Sequence, residues 1–102
     1  MELVTSQQLE EMKSNGDKLL IDFFAEWCGP CKMIIPKLES FESQFPGVKF
    51  VKIDIDKNQE LADALRIKGL PTLMIYKQGQ MVWRQSGELD ANTIISLVQE
   101  QI

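Results

Sequence analysis

The fold is decided by one stretch of the sequence, Lys18-Leu19-Leu20-Ile21-Asp22-Phe23-Phe24-Ala25-Glu26-Trp27-Cys28-Gly29-Pro30-Cys31-Lys32. Its first seven residues form a nearly continuous apolar run, interrupted by Asp22, which is typical of a strand buried on both faces. Apolar residues then recur at helical spacing, namely Met33, Ile34, Ile35, Leu38 and Phe41. Pro30 suits a first helical turn, where its missing N–H leaves no donor unpaired, and Pro36 should kink the helix. The stretch predicts a buried strand, a tight loop and a helix.

The rest of the chain first continues this alternation and then departs from it. Residues 48–55 predict a second strand, and a helix over about 58–66 follows. The residues that this helix should turn inward are Leu61, Ala62, Ala64 and Leu65. This order indicates a parallel pair of strands. Residues 72–76 and 81–85 predict an antiparallel hairpin with the four-residue connection Lys77-Gln78-Gly79-Gln80.

Helices are also predicted near both ends of the chain. Thr5-Ser6-Gln7-Gln8 has the form of a capping box and begins a helix with Leu9 and Met12 facing inward. The closing helix carries the apolar residues Ile94, Ile95, Leu97, Val98 and Ile102. The predicted fold class is α/β, with a central mixed sheet that is parallel in its first part and antiparallel in its last hairpin, and with helices on both faces. We expect a single domain over residues 1–102.

The composition excludes several classes of protein. The 102 residues are 44% hydrophobic and 25% charged, as in an ordinary globular domain. The net charge of −4 argues against a nucleic-acid partner, which favours a basic surface. No apolar run approaches the ~20 residues of a membrane span, and no cationic start leads into an apolar stretch. We therefore expect a cytoplasmic protein with no membrane partner.

Histidine is absent, and Cys28 and Cys31 are the only cysteines. The absence of histidine excludes Ser-His and Cys-His hydrolases. A structural zinc ion takes about four ligands, of which two thiols supply half, so we expect no metal. The C-x-x-C spacing favours a redox pair. A structural disulfide, or a metal or iron–sulfur cluster shared by two chains, is the alternative.

Position distinguishes the two thiols. At the first turn of a helix, Cys28 would face unpaired N–H groups and the positive end of the helix dipole, which both favour the thiolate. Only a thiolate attacks a disulfide. Because Cys31 lies one helical turn later, it could attack a mixed disulfide formed at Cys28. We therefore interpret Cys28 as the nucleophile and Cys31 as the resolving thiol.

Two further features each allow a structural and a functional interpretation. A carboxylate such as Asp22 is costly in a buried strand unless it is paired or used. It either forms an ion pair with Lys52 of the next strand or accepts the proton of the resolving thiol. Gly69-Leu70-Pro71-Thr72 is either a simple turn or a cis Leu70–Pro71 bond whose backbone faces the attacking sulfur and pairs with an extended substrate segment.

The segment from Asp22 to Lys32 resembles the active-site motif of the thioredoxin family, with its WCGPCK core complete. The resemblance covers essentially the whole chain, and its further matches are Pro36, Lys52, Gly69-Leu70-Pro71-Thr72, Lys77-Gln78-Gly79 and Gly87. It implies a thioredoxin fold with a cis peptide bond before Pro71. It also implies a general protein-disulfide reductase without a bound cofactor, recharged by an NADPH-dependent thioredoxin reductase.

The resemblance also implies a role for each site residue. The catalytic residues would be Cys28 as attacking thiolate, Cys31 as resolving thiol, Asp22 as proton acceptor and Lys52 as its assistant. A shallow apolar groove for client proteins would be lined by Trp27, Gly29, Pro30, Leu70, Pro71, Thr72 and Gly87. The implied clients are of the ribonucleotide reductase, peroxiredoxin and methionine sulfoxide reductase types. We expect the protein to be a monomer.

A few positions depart from the family pattern. Phe24 stands where many bacterial members carry a second Trp, and Leu70 replaces the more frequent Ile. Trp83 makes the last strand bulkier, either as a core anchor or as an extra client contact. Two other functions stay open at this point. One is an oxidant or isomerase of the cell envelope, and the other is a redox-independent binding subunit that uses the groove around Trp27 and Pro71.

Overall fold

The strand that precedes the two cysteines is the central strand of a five-stranded mixed sheet, in a computed structural model that describes residues 1–87 and 89–102. The strands are β1 Glu2–Leu3, β2 Lys18–Phe24, β3 Val48–Asp54, β4 Thr72–Lys77 and β5 Gln80–Ser86. The helices are α1 Ser6–Ser14, α2 Gly29–Glu39, α3 Gln59–Ala64 and α4 Ala91–Gln101, with a short 3-10 helix at Glu42–Gln44.

The strand order in the sheet is β1-β3-β2-β4-β5. Strand β3 runs parallel to both β2 and β1, whereas β4 runs antiparallel to β2 and to β5. The predicted mixed sheet, with a parallel first part and an antiparallel final hairpin, is therefore confirmed. Because β2 and β3 are parallel neighbours, α2 must run back along the sheet between them. The helix therefore begins beyond the end of β2, and the cysteines at its start lie at that edge of the sheet.

Both faces of the sheet are covered by helices. The core between the sheet and helices α2 and α4 contains Leu20, Ile34, Leu38, Phe50, Leu73, Ile75, Ile94 and Val98. The core on the opposite face contains Leu9, Leu19, Ile21, Phe23, Val51, Ile53 and Met74, with Met12 of α1 and Leu61 of α3 packed against it. Burial of each such apolar side chain contributes about 1.5–3 kcal/mol to folding. The two cores together hold β2 rigidly in the middle.

Several predicted boundaries are wrong by a few residues. The hairpin connection is a two-residue turn, Gln78-Gly79, and not the four residues expected, because both turn residues adopt positive φ (53° and 76°) and let the strands pair up to the turn. Strand β3 ends at Asp54. Ala64, expected to face inward, is exposed. Pro36 lies inside helix α2, as expected, and the helix ends at Glu39.

The sequence analysis missed two short elements, and the structure bears on the two interpretations of Trp83. Strand β1 is only two residues long and both are exposed, so it has no alternating pattern. The 3-10 helix after α2 was also missed. Trp83 is partly buried and packs against the core under α2 and α4, which favours its interpretation as a core anchor. Within the described residues, no helix has the length and apolar character that a membrane crossing requires.

Side chains close the first turns of α1 and α4. The predicted capping box is confirmed: the backbone N–H of Gln8 donates to Thr5 Oγ1 at 3.2 Å, and the backbone N–H of Thr5 donates to Gln8 Oε1 at 2.8 Å. At α4, the carboxylate of Asp90 accepts the backbone N–H of Thr93 at 3.1 Å. Each cap satisfies a helix donor that would otherwise lack an intrahelical partner.

The Asp90 cap provides a test of how α4 is held. Asp90→Ala removes the cap and should lower the free energy of unfolding by about 1 kcal/mol, measured by urea denaturation. The matched control is Glu100→Ala, which removes an equal charge from the exposed surface near the other end of α4. Because a negative charge is unfavourable near a helix C-terminus, the control should lose no stability. Equal losses in both variants would contradict the assigned role of the cap.

Candidate active site

The two cysteines occupy the first turn of α2 and form a disulfide. Cys28 is the N-cap, with an extended backbone (φ −84°, ψ 109°), and the backbone N–H of Cys31 donates to Cys28 Sγ at 3.2 Å. Gly29 and Pro30 are the next two residues, in the part of the helix where a missing N–H costs nothing. The predicted position of the pair, between a buried strand and a helix N-terminus, is confirmed.

Access distinguishes the two sulfurs. Cys28 is 4% exposed and borders a cavity of about 430 Å³, whereas Cys31 is fully buried. The other residues that line this cavity are Trp27, Gly29, Pro30, Ile55, Ile67, Lys68 and Leu70. The structure therefore brings four of the predicted groove residues together around Cys28. It adds Ile55, Ile67 and Lys68, which the sequence analysis did not single out.

A second cavity, of about 270 Å³, lies on the other side of Pro30. It is lined by Pro30, Met33, Ile34, Lys37, Pro71 and Leu89. The two cavities meet at Pro30, and Pro71 of the second cavity follows Leu70 of the first. The surface formed by both cavities, here termed the active-site groove, is lined mainly by residues with apolar side chains, and each cavity includes one lysine.

The peptide bond between Leu70 and Pro71 is cis, as the family resemblance implied. The loop is held from β5, because the backbone N–H of Gly87 donates to the carbonyl of Pro71 at 2.9 Å. Thr72 is buried and its hydroxyl donates to the Gly69 carbonyl at 2.6 Å. Neither Thr72 nor Gly87 is among the described residues that line the two cavities. Their contacts position the loop.

Trp27 is 70% exposed beside the disulfide. Its indole Nε1–H donates to Asp56 Oδ2 at 2.9 Å, which orients the ring over the first cavity. The sequence analysis missed Asp56. The predicted parallel pairing of β2 and β3 could have indicated this contact, because the ends of the two strands lie together, with Phe24 beside Asp54. Residues that follow the two strands therefore meet at one edge of the sheet.

Asp22 lies in the middle of the sheet and is fully buried. Neither carboxylate oxygen has a hydrogen-bond partner among the described residues. Burial raises the pKa of Asp22 to about 7, although the charge of Lys52 acts in the opposite direction. Side chains alternate along a strand, so Asp22 shares the face of Leu20, which is covered by α2.

Asp22 also lies on the same side of the sheet as the buried cysteine. Cys31, Ile34 and Leu38 are the buried residues of α2 and face the sheet. Leu20, on the same face of β2 as Asp22, packs with Ile34 and Leu38 of this helix. The carboxyl and the resolving sulfur thus occupy the same layer of the protein.

Lys52 is the direct neighbour of Asp22 on β3, as the sequence analysis predicted. Among the described residues, however, no ion pair links the two side chains within 4.0 Å. The ammonium instead lies 5.9 Å from the centre of the Phe24 ring. The structural interpretation of Asp22 as half of a closed ion pair therefore has no support. Lys52 acts on Asp22 through its field over a longer distance.

In the described part of the chain, no three side chains of His, Cys, Asp and Glu are grouped so that they could hold a metal ion. The reactive groups of the site are the two sulfurs, which are joined as a disulfide. A disulfide at a helix N-terminus, next to an open apolar groove, can exchange with another disulfide or with thiols.

Comparisons with known proteins agree with this site. The thioredoxin family model matches residues 1–100. The chain is 38% identical over 98 residues to thioredoxin of Chlamydia trachomatis serovar D, covering 96% of this chain and 95% of the relative. It is 40% identical over 87 residues to thioredoxin-2 of Saccharomyces cerevisiae, covering 84% of each.

Solved structures give the same result for the fold. Plasmodium falciparum thioredoxin matches with a TM-score of 0.91 and 30% identity, and Fasciola hepatica thioredoxin with 0.90 and 33% identity. Both comparisons cover 100% of each chain. The chain therefore belongs to the thioredoxin family, as a protein-disulfide oxidoreductase that works by thiol–disulfide exchange at the Cys28–Cys31 pair.

Proposed function

We propose that this protein is a general reductase of protein disulfides, in which Cys28 attacks and Cys31 resolves. The observation that carries the proposal is the difference in access: Cys28 borders the active-site groove, whereas Cys31 is sealed beneath it. A client disulfide can therefore reach only one sulfur. The helix N-terminus supports the same assignment, because its N–H groups and dipole favour a thiolate at Cys28.

The proposed reaction has two exchange steps. In the first, the Cys28 thiolate attacks one sulfur of the client disulfide, a mixed disulfide forms, and the other client sulfur leaves as a thiolate. In the second, Cys31 loses its proton and attacks Cys28 Sγ, which releases the second client thiolate. The client gains two electrons, and the Cys28–Cys31 disulfide of the present structure is the product.

We assign Asp22 as the acceptor of the Cys31 proton and Lys52 as a positioning residue that tunes it. A carboxyl with a pKa of about 7 is partly ionised at neutral pH, so it can take up a proton there. Its location on the face of β2 that α2 covers, and its lack of described hydrogen-bond partners, support this role. The charge of Lys52 keeps the ionised form accessible by lowering the pKa from a still higher value.

We assign the active-site groove to client recognition. Trp27, Gly29, Pro30, Leu70 and Pro71 would contact the client segment, with the backbone around the cis peptide bond pairing with it in extended form. Thr72 and Gly87 would act indirectly, by holding this loop through the hydrogen bonds described above. Mostly apolar contacts combined with backbone pairing suit a reductase that accepts many sequences.

We further propose that residues 1–102 act as a single monomeric domain in the cytoplasm, recharged by an NADPH-dependent thioredoxin reductase. Clients of the ribonucleotide reductase, peroxiredoxin and methionine sulfoxide reductase types would fit a general reductase. Activity with NADPH and a purified thioredoxin reductase tests the recharging step directly.

The reduction potential tests the direction of the reaction. The protein would be equilibrated in thiol–disulfide buffers. The fraction in the reduced form would then be measured by alkylation of free Cys28 or by fluorescence of Trp27. A reductase should give a value near −270 mV, whereas about −180 to −120 mV is the range of isomerases and oxidants. A potential in that second range would overturn the proposed direction and the proposed compartment together.

Single serine variants test the roles of the two thiols, with insulin as the client. Cys31→Ser should accumulate a mixed disulfide, visible on a non-reducing gel, because the first step proceeds and the second cannot. Cys28→Ser should form none and should reduce no insulin. Trapping by Cys28→Ser would reverse the assignment. Full biological activity of a variant lacking both thiols would favour the alternative of a redox-independent binding subunit.

The proton-acceptor role of Asp22 predicts a pH-dependent defect. In Asp22→Asn, resolution of the mixed disulfide should slow about a hundredfold at pH 7, the lower end of a general-base contribution. The defect should shrink above about pH 8.5, where an unassisted thiol ionises. Stopped-flow kinetics of the second step would measure both effects. Asp54→Asn, a second buried carboxyl on the adjacent strand, is the control and should leave the rate unchanged.

The pH dependence of stability tests the raised pKa of Asp22 independently of exchange kinetics. Because its pKa rises from 3.8 to about 7 on folding, the folded state binds more protons than the unfolded state between these values. The Asp22 contribution to the free energy of unfolding should therefore fall by about 3 kcal/mol between pH 4 and pH 7, and Asp22→Asn should lack this contribution. Parallel curves for the two proteins would refute the raised pKa and with it the proposed role.

A further inference from the structure

Met33 is the most exposed sulfur-containing residue near the redox pair. Its side chain is 67% exposed, although it lies only two residues beyond the fully buried Cys31. A large apolar side chain in water loses the stabilisation that burial would provide. The remaining methionines are less exposed, and Met74 is fully buried. Oxidants that reach this face of the protein therefore meet the Met33 thioether before most other sulfurs.

Met33 also lines the active-site groove. It borders the cavity of about 270 Å³ together with Pro30, which stands between the two cysteines, and Pro71, which follows the cis peptide bond. Lys37, one helical turn further along α2, lines the same cavity. A change in the polarity of the Met33 side chain would therefore alter the surface on which a client segment lies.

We propose that Met33 is a site of reversible oxidation by peroxides, and that its sulfoxide weakens the docking of protein clients without disabling the thiol pair. This inference rests on the proposed role of the active-site groove. The oxidised side chain is a polar group where the client requires an apolar one. Lys37 can donate a hydrogen bond to the sulfoxide oxygen and retain it at the cavity.

The chemistry is a two-electron oxidation of the thioether. A lone pair on the sulfur of Met33 attacks one peroxide oxygen and the O–O bond breaks. A sulfur–oxygen bond forms, and the released hydroxide takes a proton to give water. Sulfur is oxidised and peroxide is reduced. Methionine sulfoxide is reduced again by thiol-dependent sulfoxide reductases, so the modification is reversible. Cys28 and Cys31 are protected from the same oxidant while they are joined as a disulfide.

The sulfoxide should act on binding and leave the exchange chemistry unchanged. A client segment that covers the cavity would bury the sulfoxide oxygen and remove it from water, with at most Lys37 as a partner. Incompletely paired polar groups at such a contact weaken binding by about tenfold or more. A small disulfide reagent that needs only Cys28 should not be affected.

The test uses the disulfide form of the full chain, treated with hydrogen peroxide and then freed of it. Mass spectrometry would locate each sulfoxide, and the reduction of insulin would be followed with dithiothreitol as the electron source. Met33→Leu retains an apolar side chain but cannot be oxidised at this position. Met81→Leu is the matched control, because Met81 is 47% exposed on β5 and lies outside the groove residues. Each protein is compared with itself before treatment.

We expect peroxide to raise KM for insulin about tenfold in the unmodified sequence and in Met81→Leu, and to leave it unchanged in Met33→Leu. Reduction of a small aromatic disulfide should be unaffected in all three. An unchanged KM with Met33 fully oxidised would overturn the inference, as would an equal rise in Met33→Leu or the absence of sulfoxide at Met33. Failure of every untreated protein to reduce insulin would instead count against the proposed function.

Discussion

The double burial of strand β2 is the constraint on which the rest of the structure depends. Its residues from Leu19 to Phe23 are inaccessible on both faces, and its two edges are paired with β3 and β4. A chain held in this way can return to the surface only beyond the strand's end. Cys28 lies there, between the buried strand and the first turn of α2. The redox pair is thus joined to a fully buried central strand, while one sulfur still borders an open groove.

The same burial explains why Asp22 is unusual. An apolar residue at its position would fill the core without loss, whereas a carboxyl must either remain protonated or be charged in a medium of low polarity. The parallel pairing of β2 and β3 provides a partial remedy, because it sets Lys52 beside Asp22 without closing an ion pair. Its burial, its raised pKa and its lack of a described hydrogen-bond partner are the basis of the proposed role of Asp22 in proton transfer.

Local sequence could predict those features whose cause is local. The apolar run of β2, the capping box at Thr5 and the cysteine spacing each act within a few residues, and all three are confirmed. The missed features depend on contacts between distant segments. Strand β1 exists because β3 offers an edge, and Asp56 meets Trp27 because two strands end together. The cis bond before Pro71 was implied by family resemblance and not by the residues alone.

The arrangement of exposed and buried groups explains how a site with little polar chemistry can be both reactive and general. Apolar side chains such as Trp27 and Met33 are left exposed around a sulfur that is itself nearly buried. Under the proposed function, a client that covers this rim would remove water from the exchanging sulfurs through contacts that require few particular side chains. Selection among clients would then depend on the two ends of the groove, where Lys37 and Lys68 lie. In the proposed reductase, the sulfur pair would provide the reactivity, and the lysines that line the groove would contribute to the choice of client.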